Sequence, residues 1–216
     1  MGSTYMQFAI IILLTGQLTN GHHWGYSTEE QAKWKEHYKS CGGHRQSPIN
    51  IYDATGKRLN PFKLQNYRDP LPGPLMLHNN GHTVVLQIAH PRRGQSVPYI
   101  TGGWLSKSYQ FESLHFHWGE RSDFGSEHTF TGKRYPMEMH MVHRNKNYRT
   151  MEEAMKHADG LMVLAFFYEL NKFRSMFGHD THTKLTNNFR YVQDIGSREV
   201  IARIPRIKPP RPIFKP

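Results

Sequence analysis

The sequence predicts a mainly β fold with peripheral short helices (α+β), and three observations carry that prediction. Four runs have strand character: residues 83–90 (TVVLQIAH), 109–118 (YQFESLHFHW), 137–143 (MEMHMVH) and 161–170 (LMVLAFFYEL). Turn-forming clusters break the chain around them, at residues 79–81, 91–94 and 102–103. Helix signals are confined to two short stretches. With 216 residues, no internal repeat and no linker, the chain suits one domain with a sizeable core.

In chain order, residues 8–14 (FAIIILL) form a seven-residue apolar run, and Thr19 and Gly21 have the small-x-small spacing of a cleavage site. The run is too short to span a bilayer. It reads as the centre of a secretory signal peptide over residues 1–21, with a buried strand as the alternative. The domain is then 22–216 and the product extracellular. Ser27 and Glu30 have capping-box spacing before EQAKWKEHY, and Thr150 and Glu153 repeat it before EAMKHA, where Gly160 ends the second helix. After Glu199 the chain carries no acid, and Arg203, Arg206, Lys208, Arg211 and Lys215 alternate with prolines. That tail reads either as an exposed polyproline-like segment or as a strand lacking the segment it packs against.

Composition excludes a disordered or collagen-like chain. The net charge of +11 is compatible with a negative matrix, an anionic membrane or simple solubility, and does not choose among them. A nucleic-acid binder is disfavoured, because no recognition motif accompanies the charge. Cys41 is the single cysteine, so in an exported chain it is a free thiol, an intermolecular bridge, or a residue whose partner is missing.

The 15 histidines are the unusual number. His115 and His117 stand two apart in a strand pattern, so a period of two puts both on one face, about 7 Å apart along the chain. His140 lies in a second strand pattern, on the face of Glu138 and Val142. If the two strands are neighbours, three imidazoles converge on one ion. Three neutral histidines with an open fourth position are the arrangement of a catalytic zinc site, which lowers the pKa of bound water to about 7 and makes hydroxide available. Glu138, two residues before His140, is placed to hold its other ring nitrogen. Glu127 is a candidate for an inner hydrogen-bond network, or else a surface carboxylate beside His128.

These residues arrive together in the strings HWGY (23–26), RQSPINI (45–51), NNGH (79–82), LHFHWG (114–119), GSEHT (125–129) and EMHMVH (138–143). In order and spacing, from His23 to about Leu170, the chain resembles the alpha-class carbonic anhydrases. The resemblance implies a large, twisted, mostly antiparallel sheet around a conical cavity, Zn2+ at its base, and reversible hydration of carbon dioxide to bicarbonate and a proton. It assigns His115, His117 and His140 as zinc ligands and Glu138 as the partner of His140. Glu127 becomes the carboxylate that orients the hydroxide network. His82 takes the proton-shuttle position, although a water-exposed turn residue reads the same. Tyr26 and Asn80 would support the water chain. Val142 and Val163 would form the apolar wall where carbon dioxide rests, and core packing fits them almost as well.

The chain departs from the family at three places. Ser113 replaces a glutamine that holds the first ligand, so support for His115 weakens or passes through water. Val85 replaces a polar cavity residue. The family's Ser-Leu-Thr-Thr-Pro-Pro-Cys segment does not appear, which removes a hydroxide-orienting threonine and a cysteine partner for Cys41. The resemblance therefore implies a domain incomplete on its C-terminal side. A catalytically impaired, carbonic-anhydrase-like zinc-binding or partner-binding protein is the alternative function.

Overall fold

The computed structural model describes residues 24–52, 54–121, 123–168, 187–198 and 200–203. The apolar run at residues 8–14 and the cleavage site lie outside them, as does the tail beyond Arg203. Among the described residues no helix is long and apolar enough to cross a membrane.

The first helix, α1 (Thr28–His37), starts where its capping box predicts. Glu30 N–H donates to the Ser27 hydroxyl, and Ser27 N–H donates to the Glu30 carboxylate, each at 3.2 Å. Glycine at position 25 permits this, because a Cβ there would overlap the Glu30 carboxylate. Acidic residues in the first turn and Lys35 and His37 in the last complement the helix dipole. None of its residues is buried. A short 3-10 turn, Lys39–Gly42, follows.

The strands are β1 (Asn50–Ile51), β2 (Thr55–Lys57), β3 (Phe62–Gln65), β4 (Leu75–Asn79), β5 (Val84–Ile88), β6 (Tyr99–Gly102), β7 (Tyr109–Trp118), β8 (Thr129–Phe130), β9 (Met137–Asn145), β10 (Leu161–Tyr168) and β11 (Ile201–Arg203). The main sheet has the order β10-β9-β7-β5-β4, with β6 pairing β7 and β3, and every pairing in it is antiparallel. Each of the four sequence-predicted strands is found in it.

Register decides what each face carries. His78 pairs with Val85, Val85 with His115, His115 with His140 and His140 with Ala165. The adjacent row on the same face is Met76, Gln87, Ser113, Val142 and Val163. Opposite residues in an antiparallel ladder share a face, so this surface collects the histidines. The other face carries the apolar cluster of Val84, Trp118 and Met137, with Leu77 and Phe116 packed against it. A register shift between Phe111 and Ser113 leaves Glu112 as an extra residue in β7.

Two expectations are corrected. The second helix, α2 (Met151–Ala154), is one turn rather than a run to Gly160. Thr150 accepts from Glu153 N–H, but the Glu153 carboxylate turns to Arg149 N–H at 2.8 Å, so the box stays half closed. Gly160 sits so close to the Ala154 carbonyl that no Cβ fits there. The tail also has a partner: β11 pairs in parallel with β2, Ile201 opposite Thr55. For residues 201–203 the strand reading of the tail holds and its missing partner is corrected, because β2 offers them an edge that a three-residue Thr-Gly-Lys strand did not announce.

Candidate metal centre

His115, His117 and His140 converge as their spacing requires. Their ring centroids lie 5.0, 5.2 and 4.7 Å apart, and one ring nitrogen from each falls within 4.8 Å of the others. β7 supplies two of the rings by its period of two, and the direct pairing of His140 with His115 supplies the third. His117 and His140 are buried and His115 half-buried. Burial, followed by the neighbouring imidazoles, lowers the pKa of His115 and of His117 to about 3. Both rings therefore stay neutral near pH 7, with lone pairs available to a cation.

The surroundings commit the outer nitrogens and leave the inner ones free. His117 Nδ1–H donates to the Asn188 carbonyl at 2.6 Å, while its Nε2 is buried without any hydrogen-bond partner. His140 Nε2–H donates to Glu138 Oε1 at 2.7 Å, which turns Nδ1 inward. An orphaned, buried imidazole nitrogen costs about 1–3 kcal/mol unless something occupies it. Three converging imidazole nitrogens, two of the rings oriented from behind, fit a divalent metal of the zinc type.

Glu138 is fully buried and accepts from three donors: His140 Nε2, His128 Nδ1 at 2.7 Å and His128 N–H at 2.8 Å. Burial alone raises its pKa, but the bonds from His128 and His140 outweigh this and hold it well below the ordinary carboxylate range. His128, Glu138 and His140 also meet the spacing of a metal group. The carboxylate there is already engaged by ring and backbone N–H donors, so it acts as an orienting base and not as a second centre.

Glu127 is not the surface carboxylate that was the alternative. Its side chain is 12% exposed, and its Oε2 lies 3.6 Å from His117 Nε2 and 3.9 Å from His140 Nδ1. Burial raises its pKa, opposed by His140 and by the bond its Oε1 accepts from Arg190 N–H at 2.7 Å. Tyr26 is half-buried, and its hydroxyl pKa is raised first by burial and then by the Glu127 charge.

His82 lies at the end of the Asn79–Gly81 turn, its ring stacked on Trp24 with centroids 3.8 Å apart and planes at 10°. The Asn80 side chain accepts from His82 N–H and Thr83 N–H, at 3.0 and 2.9 Å, so it shapes the turn that carries His82. Val85 is the residue opposite His115, and Ser113 faces Val142 and Gln87 in the next row. Among the described residues no hydrogen bond joins Ser113 to His115. Val142 and Val163 pair across β9 and β10, and Val163, at 47% exposure, is not a core residue. Cys41 is a free, half-buried thiol.

Sequence reasoning missed Asn188 and Arg190. Asn188 is fully buried: its carbonyl orients His117, its Oδ1 accepts from Trp118 N–H at 2.7 Å, and its Nδ2 donates to the His82 and Phe116 carbonyls at 3.1 and 3.0 Å. The paired asparagines 187 and 188 were the available signal, yet nothing in their spacing tied them to a strand 70 residues earlier.

Comparison with known proteins places these findings in context. The family described as eukaryotic-type carbonic anhydrase matches over residues 29–177. Carbonic anhydrase 15 of Mus musculus is 40% identical over 164 residues, which cover 72% of this chain and 50% of that protein. Carbonic anhydrase 7 of Homo sapiens is 35% identical over 186 residues, covering 84% and 66%. Carbonic anhydrase 6 of Homo sapiens is 37% identical over 171 residues, covering 76% and 53%. The chain thus spans about half to two thirds of the length of the curated relatives it matches.

Proposed function

The chain belongs to the eukaryotic-type carbonic anhydrase family, and from that premise we propose that it catalyses the zinc-dependent, reversible hydration of carbon dioxide to bicarbonate and a proton. The observation that supports this most is the orphaned Nε2 of His117, buried beside two further imidazoles, the three together being the ligands that the resemblance implies. One ring nitrogen of His115, with His117 Nε2 and His140 Nδ1, would hold the ion. Zinc, when bound, supplies a water whose pKa is low enough to ionise near neutrality.

The chain's own residues do the rest. Glu138 and the Asn188 carbonyl fix two rings in the tautomer that presents a lone pair inward. Glu127, anchored by Arg190 N–H, points its second oxygen at the ligand nitrogens, where an ordered water network can be oriented. Val142 and Val163 give carbon dioxide an apolar surface on the same face as the histidines. Each hydration releases one proton, and His82, stacked against Trp24 at the edge of the sheet, accepts it and passes it to buffer.

This role makes a distinguishable prediction. His82→Ala is expected to slow turnover at low buffer and to lose little at high buffer, because external buffer replaces the imidazole. Steady-state hydration rates over a buffer series check it, and equal slowing at every concentration counts against the shuttle. The reading as a whole is tested by the hydration rate of the zinc-loaded chain against the same preparation stripped of zinc.

A further inference from the structure

Gln31 spans two segments that the reaction needs held in one geometry. Its Nε2 donates to the Tyr26 carbonyl at 2.7 Å and to the Phe189 carbonyl at 3.2 Å, while its Oε1 accepts from Tyr191 N–H at 2.9 Å. Both donors of the amide and one acceptor site are used. On one side lies the wall formed by Trp24 and Tyr26. Trp24 stacks on His82, and Tyr26 meets both rings edge-on, at 5.3 Å from Trp24 and 6.5 Å from His82. On the other side lies the strap of residues 188–191, whose Asn188 carbonyl holds His117 and whose Arg190 N–H holds Glu127.

The helix that carries Gln31 does not need this amide for its own sake. α1 is closed by its capping box, and Gln31 N–H bonds to the Ser27 carbonyl as an ordinary helical donor. Gln31 is half-buried and belongs to no apolar cluster. Its side chain is therefore spent on joining the wall to the strap.

We infer that Gln31 is a positioning residue for proton transfer: its carboxamide fixes the Trp24–Tyr26 wall, and with it the His82 ring, relative to His117 and Glu127. The inference rests on the hydration reading above, with His82 as the proton acceptor. A chain of water between the metal and an imidazole conducts only while its end groups keep their alignment. Loss of the bridge thus slows proton release and leaves the carbon dioxide step, which does not involve His82, as it was.

Labelled-oxygen exchange between carbon dioxide, bicarbonate and water, followed at chemical equilibrium on the zinc-loaded full chain, reads the two steps separately. Gln31→Leu keeps the bulk and removes all three bonds; Gln31→Glu keeps the acceptor and removes both donors. For both variants, release of labelled water is expected to fall about 3- to 10-fold, the factor that one or two net hydrogen bonds carry. Interconversion of carbon dioxide and bicarbonate is expected to stay within about twofold, since those bonds do not reach the ligands directly. Added imidazole restores the water-release rate, and the His82 ring resonances shift in NMR spectra as the Trp24 stack loosens.

Unchanged water release together with unchanged His82 resonances overturns the inference. So does a parallel fall of both rates, which marks a merely structural residue. If the unsubstituted chain interconverts nothing, the hydration reading fails on that measurement, and the His82 resonances of Gln31→Leu alone decide whether Gln31 positions the ring.

Discussion

Alanine at His115, His117 or His140 is expected to leave a folded chain that no longer retains zinc through purification and no longer hydrates carbon dioxide. Each ring contributes one of three converging nitrogens, and among the described residues no fourth histidine belongs to that group of three. The second group, with His128 and Glu138, offers no substitute, because its carboxylate is engaged by His128 and His140. The loss must exceed the ~10- to 100-fold in metal affinity that removal of a ligand's orienting partner costs. Metal content after dialysis, set beside the hydration rate, reads the outcome. Near-stoichiometric zinc in any of the three variants refutes the ligand assignment.

Glu138→Ala is expected to be the most damaging change outside the ligands. It removes the acceptor of three donors, His128 Nδ1, His128 N–H and His140 Nε2, from a fully buried position. Stability should fall by several kcal/mol, since each buried donor left without an acceptor costs about 1–3 kcal/mol. Zinc affinity should fall by a further ~10- to 100-fold, because His140 loses the bond that selects its tautomer. Glu138→Gln separates the two effects: the amide keeps its size and one acceptor oxygen but turns a donor toward the histidines. Its expected signature is a smaller stability loss with the affinity loss retained. Denaturant unfolding of the metal-free chain and competition with a chelator measure the two quantities. A Glu138→Ala protein with unaltered zinc affinity contradicts the orienting role.

The centre was legible in the sequence because a strand repeats every two residues. That period put His115 beside His117 and Glu138 beside His140, and adjacency of two apolar-rich runs brought the pairs together. The N-terminus of α1 was legible for a similar local reason, since both halves of its capping box lie within four residues. The parts that escaped are long-range and backbone-borne. The group that orients His117 is a carbonyl, which every residue has, 71 positions along the chain. The carboxylate of Glu127 is held by a backbone N–H of residue 190. The parallel pairing of β2 with β11 joins two three-residue strands too short to show periodicity. In α2 the Glu153 side chain had a choice of two N–H groups, and it took that of Arg149. Spacing alone cannot weigh such alternatives.

The most direct test is the carbon dioxide hydration rate of the purified chain loaded with one equivalent of zinc, compared with the same preparation stripped of metal and then reloaded. The arrangement of His115, His117 and His140, oriented by Asn188 and Glu138 and faced by Glu127, predicts hydration that disappears on stripping and returns on reloading. A chain that binds zinc stoichiometrically yet hydrates carbon dioxide no faster than its stripped form contradicts the account.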